Sequence, residues 1–150
     1  MKGLYKRGES ESQITQSLAD TIGRNLVVHV LLGQLDATDQ KRVFVAPCEC
    51  IVKDADLTSE TALAIDGTNY RSFQLNNVTQ SNDLLASAKT TFTGGTAITA
   101  DTPYSLKPDQ NNKLAAGDVI ELVQTKTASP TALEECSVTL QISFDADDEA

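Results

Sequence analysis

The residues that could do chemistry are few and far apart. His29 is the sole histidine of the 150-residue chain, so neither a two-histidine metal site nor a Ser-His-Asp triad with a base to spare can be assembled. It sits inside the apolar run Leu26-Val-Val-His-Val-Leu-Leu32 and reads as a structural histidine. No Gly-x-Ser-x-Gly, P-loop, Gly-x-Gly-x-x-Gly or His-Glu-x-x-His motif occurs. Cys48-Glu49-Cys50 would put two thiols on one face of a strand that Val52 continues, and only Cys136 and His29 remain to complete a zinc set. The paired spacings of zinc sites are missing, so the cysteines are expected to be small buried hydrophobes. The alternative, a Cys-Cys or Cys-metal link, would show as one equivalent of zinc on the purified protein. Asp54-x-Asp56 and Glu60 gather carboxylates on an expected loop, but the sixth position of a calcium loop, which requires glycine, is Ser59. The expectation is a solvated acidic loop. A glycosidase pair is defined by its separation in space, and with no Trp and three Tyr there is little to build a sugar platform. No enzyme, metal or cofactor is expected.

The elements that would position such residues are mostly strands. Leu, Ile, Val and Phe number 37, enough for a core, while Thr (17) and Ser (11) suit half-buried strands and their turns. The clearest strand is residues 136–144, with Val138, Leu140, Ile142 and Phe144 on one side and Ser137, Thr139, Gln141 and Ser143 on the other. Residues 70–75 alternate likewise, Phe73 and Leu75 opposing Ser72 and Gln74. Residues 26–32 are apolar on both faces apart from His29, which predicts a strand covered on both sides by sheet, helix or partner chain. Further strands are expected at 42–53, kinked or bulged by Pro47, and at 62–65, 86–93 and 119–126. Asp66-Gly67, Gly94-Gly95, Asp109-Gln-Asn-Asn112 and Ala128-Ser-Pro130 supply the turns. Residues 93–112, with two prolines and little periodicity, read as a protruding loop. Seven or eight short strands at this spacing indicate an all-β fold, an antiparallel sandwich of jelly-roll-like type.

Charge divides the chain further. Twelve basic against 21 acidic residues give a formal charge of -9, which argues against nucleic acid as a partner. Residues 1–24 carry a net +1, residues 25–144 a net -6 and residues 145–150 a net -4. These define an N-terminal arm, a β-domain and a solvated acidic tail. Within the arm, Ile14, Leu18 and Ile22 recur every four residues between a Ser10-x-x-Gln13 capping box and Gly23, describing a short helix with an apolar stripe too narrow to stand alone in water. It needs its own domain or a neighbour to lie on. No apolar stretch reaches the roughly 20 residues of a membrane helix, and the N-terminus lacks a signal-peptide pattern, so synthesis in a cytoplasm and no membrane partner are expected.

From Asn25 to Phe144 the chain resembles small β-rich virion proteins of tailed bacteriophages, the capsid decoration (cement) and head-fibre type. The resemblance rests on the opening strand Leu26-Val-Val-His-Val-Leu-Leu32, on Arg42-Val-Phe-Val-Ala-Pro47, on Leu114-Ala-Ala-Gly-Asp-Val-Ile-Glu-Leu122, and on the closing strand Val138-Thr-Leu-Gln-Ile-Ser-Phe144. It implies a structural protein added to the capsid exterior, often as a trimer, that binds the major capsid protein. An N-terminal arm then makes the capsid contact, here through Leu4, Tyr5, Ile14, Leu18 and Ile22. On this reading, removing residues 1–24 leaves the β-domain folded and abolishes capsid binding. The apolar faces of residues 26–32 likewise imply a homo-oligomer, with the trimer the expected form. The competing reading is a tail-fibre or external fibre domain that recognises a host surface receptor through the 93–112 segment.

Overall fold

The computed structural model describes residues 24–144, and every described strand belongs to one of two antiparallel sheets. Ten strands follow in chain order: β1 (Asn25–Leu35), β2 (Asp39–Val45), β3 (Cys50–Thr58), β4 (Tyr70–Asn77), β5 (Asn82–Asp83), β6 (Lys89–Thr90), β7 (Tyr104–Ser105), β8 (Lys113–Leu114), β9 (Val119–Thr127) and β10 (Leu133–Ser143). The first sheet runs β1-β10-β3-β7, with β8 also on β3, and the second runs β2-β9-β4-β5, with β6 also on β4. The first four strands therefore alternate between sheets, while the last two strands pair with the first two. No helix occurs among the described residues, and the arm helix expected at 10–22 lies outside them.

Period-two alternation sets the core. The inward residues of β10 (Val138, Leu140, Ile142) and β3 (Val52, Ala55, Leu57) meet those of β4 (Phe73, Leu75) and β9 (Ile120, Leu122) in one buried cluster. Each Leu or Ile sealed there contributes about 1.5–3 kcal/mol by leaving water. Phe73 also meets Tyr104 edge to face, ring centroids 5.8 Å apart.

Several expectations are corrected. Residues 42–53 form two strands in different sheets, because the chain leaves the second sheet at Val45 and enters the first at Cys50. Pro47, with no N–H to donate, sits in the crossing between them. Asp54 and Asp56 lie inside β3, not on a loop. The 62–65 strand reduces to a single bridge, Leu63 to Ile98, and the 86–93 strand to the two residues of β6. Residues 93–112 do not protrude: Ile98, Tyr104, Leu106 and Asn112 are buried, and Leu106 N donates to Ala55 O at 2.8 Å. Burial of alternate apolar residues fixes this segment without long ladders, which is why periodicity missed it.

The two ends of the sandwich are held by different polar devices. At one end Gly117 takes φ +87 at the third position of a turn closed by Asp118 N to Ala115 O, 3.1 Å, a conformation that suits glycine. Asp118, 2% exposed, accepts from Asn77 Nδ2 (2.9 Å), Gln80 Nε2 (3.0 Å) and Ala115 N (3.0 Å). Burial raises its pKa, but these three donors outweigh that and hold the carboxyl below its ordinary value. A depressed folded-state pKa stabilises above the unfolded value and loses that contribution as pH falls through the folded one. The native sandwich should therefore lose stability on acidification below about pH 4. Asp118→Asn, which puts an amide donor among three donors, should cost about 1–3 kcal/mol at neutral pH and flatten the acid limb. Urea unfolding followed against pH measures both.

At the other end Arg71, on the inward side of β4 with Phe73 and Leu75, is fully buried. Its guanidinium donates to Asp36 O (2.9 Å), Thr131 O (3.0 and 3.1 Å), Pro130 O (3.3 Å) and the Gln124 side-chain oxygen. Gln124 in turn donates to Ala37 O. The β1–β2 and β9–β10 connections are thus tied to one side chain.

Candidate interface on the first strand

The arm residues Leu4, Tyr5, Ile14, Leu18 and Ile22 lie outside the described residues. What the structure places is the strand that follows them. Among the described strands β1 pairs with β10 alone, from Asn25 opposite Ser143 to Leu35 opposite Leu133, so it is an edge of the described sheet. Its inward residues Val28, Val30 and Leu32 pack on the core, while Val27 (65% exposed) and Leu31 (79% exposed) face outward on either side of His29. Among the described residues the inner face is covered by the core and nothing covers the outer one.

The edge itself is unusual. Long free edges are normally blunted by charge, proline or shortness, because their unpaired backbone groups recruit other strands. β2, the edge of the second sheet, carries Asp39, Lys41 and Arg42 and a register shift between Arg42 and Phe44. The strands at the opposite edges have two residues each. β1 has eleven residues and no charge from Asn25 to Leu35. Its register with β10 shifts on either side of Gly33, which stands at φ +69, so the stretch that is both uncharged and regular runs from Asn25 to Leu31.

The sole histidine is accordingly not buried. His29 Nδ1 lies 2.9 Å from Thr139 Oγ1, and the register continues across the sheet to Asp56 and Ser105. Burial, then the neighbouring Asp54, pushes the Asp56 carboxyl up. The row mixes a base, hydroxyls and an acid, yet it lies flat on an open sheet surface rather than converging on a cleft. A cavity of about 390 Å³ is lined by Lys89, Thr96, Thr99, Thr102, Tyr104 and Ser105 among others, and its lining holds no acid–base pair. No group of three His, Cys, Asp or Glu side chains gathers among the described residues.

Cys50 and Cys136 are buried, as expected, but Cys48 is exposed in the β2–β3 crossing and does not share a strand face with Cys50. All three thiols are free. Burial pushes the Cys50 thiol up to about 11, with Cys48 and Asp118 adding to the shift. A thiol reagent at neutral pH should modify Cys48 quickly and reach Cys50 and Cys136 only on unfolding. Counting labelled thiols by mass before and after denaturant checks this.

No family model and no curated protein matches the chain. Among solved structures, its fold is shared with a chain in the capsid asymmetric unit of cyanophage Pam1: TM-score 0.51, 15% identity, 81% of this chain and 84% of that one. The two chains are therefore of similar length. Weaker likenesses are to infectious bursal disease virus, Gx strain (TM-score 0.39, 13% identity, 84% of this chain and 33% of that one), and to the T13 particle of the same virus (0.36, 10%, 80% and 35%).

Proposed function

We propose that this chain is a structural virion protein that decorates the outside of a phage head, binds the major capsid protein and stiffens the shell. The observation that carries the reading is the fold shared, over four-fifths of both chains, with a chain of similar size in a phage capsid asymmetric unit. The strand order supports a jelly roll in particular: β1-β10-β3-β7 opposite β2-β9-β4-β5 is the arrangement two Greek keys give, an architecture common in viral capsid proteins. The protein acts by binding. An acidic body suits the exterior of a shell packed with DNA.

The uncharged edge of β1 supports a homo-oligomer, with a trimer the expected form. Recognition of a receptor through residues 93–112 would need a free loop, whereas Ile98 and Leu106 anchor that segment in the core. The deciding experiment is the copy number of the chain in purified particles, with labelling in electron micrographs. A regular lattice over the head is expected; a few copies at the tail would instead favour the fibre reading. Solution scattering of the free protein should give an oligomer mass, and a monomer that persists on the particle would refute the trimer.

A further inference from the structure

We propose that the cleft between β6 and β7 is a binding site for a small organic oxyanion, a carboxylate or a phosphate monoester, with the Lys89 ammonium as its charge partner and Tyr104 as its buried donor. The cleft lies where the two sheets end on the side away from β1 and β2: β6 stands beyond β4 in the second sheet and β7 beyond β3 in the first. Its volume, about 390 Å³, is within the range of about 300–1,000 Å³ in which proteins take small ligands. The wall is also fixed. Thr96 N donates to Thr90 O (3.0 Å), Ile98 N to Leu63 O (2.9 Å) and Asp101 N to Ser59 O (2.8 Å), so the segment that completes it is pinned to both sheets' connections before any ligand arrives.

The sign of the ligand follows from the lining. Lys89 is its one charged side chain, and no carboxylate joins it there. Among the described residues Lys89 makes no ion pair, although residues 25–144 carry a net charge of -6. Around it stand hydroxyls. Ser105 Oγ accepts from Lys107 N at 3.3 Å, which leaves its own proton to give, and Thr96 and Thr99 add hydroxyls that donate to nothing among the described residues. Ala97 and Pro103 supply an apolar strip for the body that carries the anion.

Tyr104 is the second, independent observation. It lines the cleft, is 5% exposed, and its hydroxyl is a buried donor that no described group accepts. Buried polar groups are nearly always paired, so an orphan beside a cleft marks a place for an acceptor. Burial pushes this phenol up to about 12, so at neutral pH it keeps the proton it would donate. Phe73 sets both ends of the site: its backbone stands opposite Lys89 in the β4–β6 pair, and its ring meets Tyr104 edge to face. An oxyanion is the ligand head that uses an ammonium, hydroxyl protons and a phenol proton together. The site needs no second chain and holds whether or not the protein decorates a capsid.

The test is an amide-shift titration of the full chain at constant ionic strength with glycerol 3-phosphate, inorganic phosphate, acetate and, as the neutral control, glycerol. Glycerol 3-phosphate should bind with a Kd of about 1 mM or tighter, the reach of a ligand this small, and move residues 89 and 96–105. Inorganic phosphate and acetate, titrated alone, show which head group the cleft takes, and saturable shifts at those residues with either one support the proposal. Lys89→Met, at an exposed position, should weaken glycerol 3-phosphate at least about tenfold. Tyr104→Phe keeps the ring on Phe73 and removes an unpartnered hydroxyl, so it should weaken binding at least about threefold without lowering the melting temperature. Shifts of the same size with glycerol, shifts that never saturate, or an affinity unchanged in either variant would overturn the proposal. None of these results bears on particle copy number, so this inference and the virion reading fail separately.

Discussion

Arg71→Met should lower the stability of the β-domain by about 3–5 kcal/mol, the range seen when one partner of a buried charged network is removed. For a domain of this size that is a fall in melting temperature of about 10–20 °C. Methionine fills much of the volume, so the loss is not a cavity effect. It arises because the carbonyls of Asp36, Pro130 and Thr131 and the Gln124 side chain lose their donors where water does not reach Arg71. Asp36, 3.5 Å from the guanidinium, keeps Lys126 at 3.1 Å and is half exposed, so it adds little to the cost. Arg71→Lys should recover only part of the loss, since an ammonium cannot serve acceptors on two loops through a planar fork. Thermal unfolding by circular dichroism measures the fall. Amide exchange should show the β1–β2 and β9–β10 connections opening first. A melting temperature within about 2 °C of the parent would mean the network is ornamental.

The second large effect is on binding. On the proposed reading, in which the arm makes the capsid contact, Leu4→Asp with Tyr5→Asp should abolish co-sedimentation with heads while leaving the melting temperature unchanged. Two carboxylates at an apolar contact must be desolvated without partners, which removes the affinity of an anchor of this size. The contrast with Arg71→Met is diagnostic: one variant loses the stability of the sandwich, the other only its hold on the particle. Unchanged co-sedimentation would move the contact from the arm to the β-domain, with the edge of β1 the first place to look.

Much of the fold was legible because strand faces follow a period of two. The inward sets Val138, Leu140, Ile142 and Phe73, Leu75 are those the alternation marked. The same rule carried a signal that sequence reasoning passed over. Arg71 has the parity of Phe73 and Leu75, so a charge stood on a buried face, and a buried charge implies a network. Asp118 was visible only as part of a Gly-Asp turn; its donors Asn77, at the end of β4, and Gln80, in the turn after it, come from some forty residues away. The run 42–53 misled because apolar residues on both sides of Pro47 belong to two sheets, and local pattern does not say which.

The chain alone determined that this is an all-β domain with a slightly basic arm, an acidic body and no catalytic motif, because composition, charge and alternation are local properties. Tertiary structure decided which apolar strand stays uncovered. Residues 26–32 have the composition of a strand buried on both faces, and they became an edge because β10 pairs on one side and nothing described pairs on the other. Sheet order is fixed by long-range pairing and core closure, which no window of sequence contains. That is also why His29, read as structural within an apolar run, stands at the surface, between two outward apolar residues that nothing among the described residues covers.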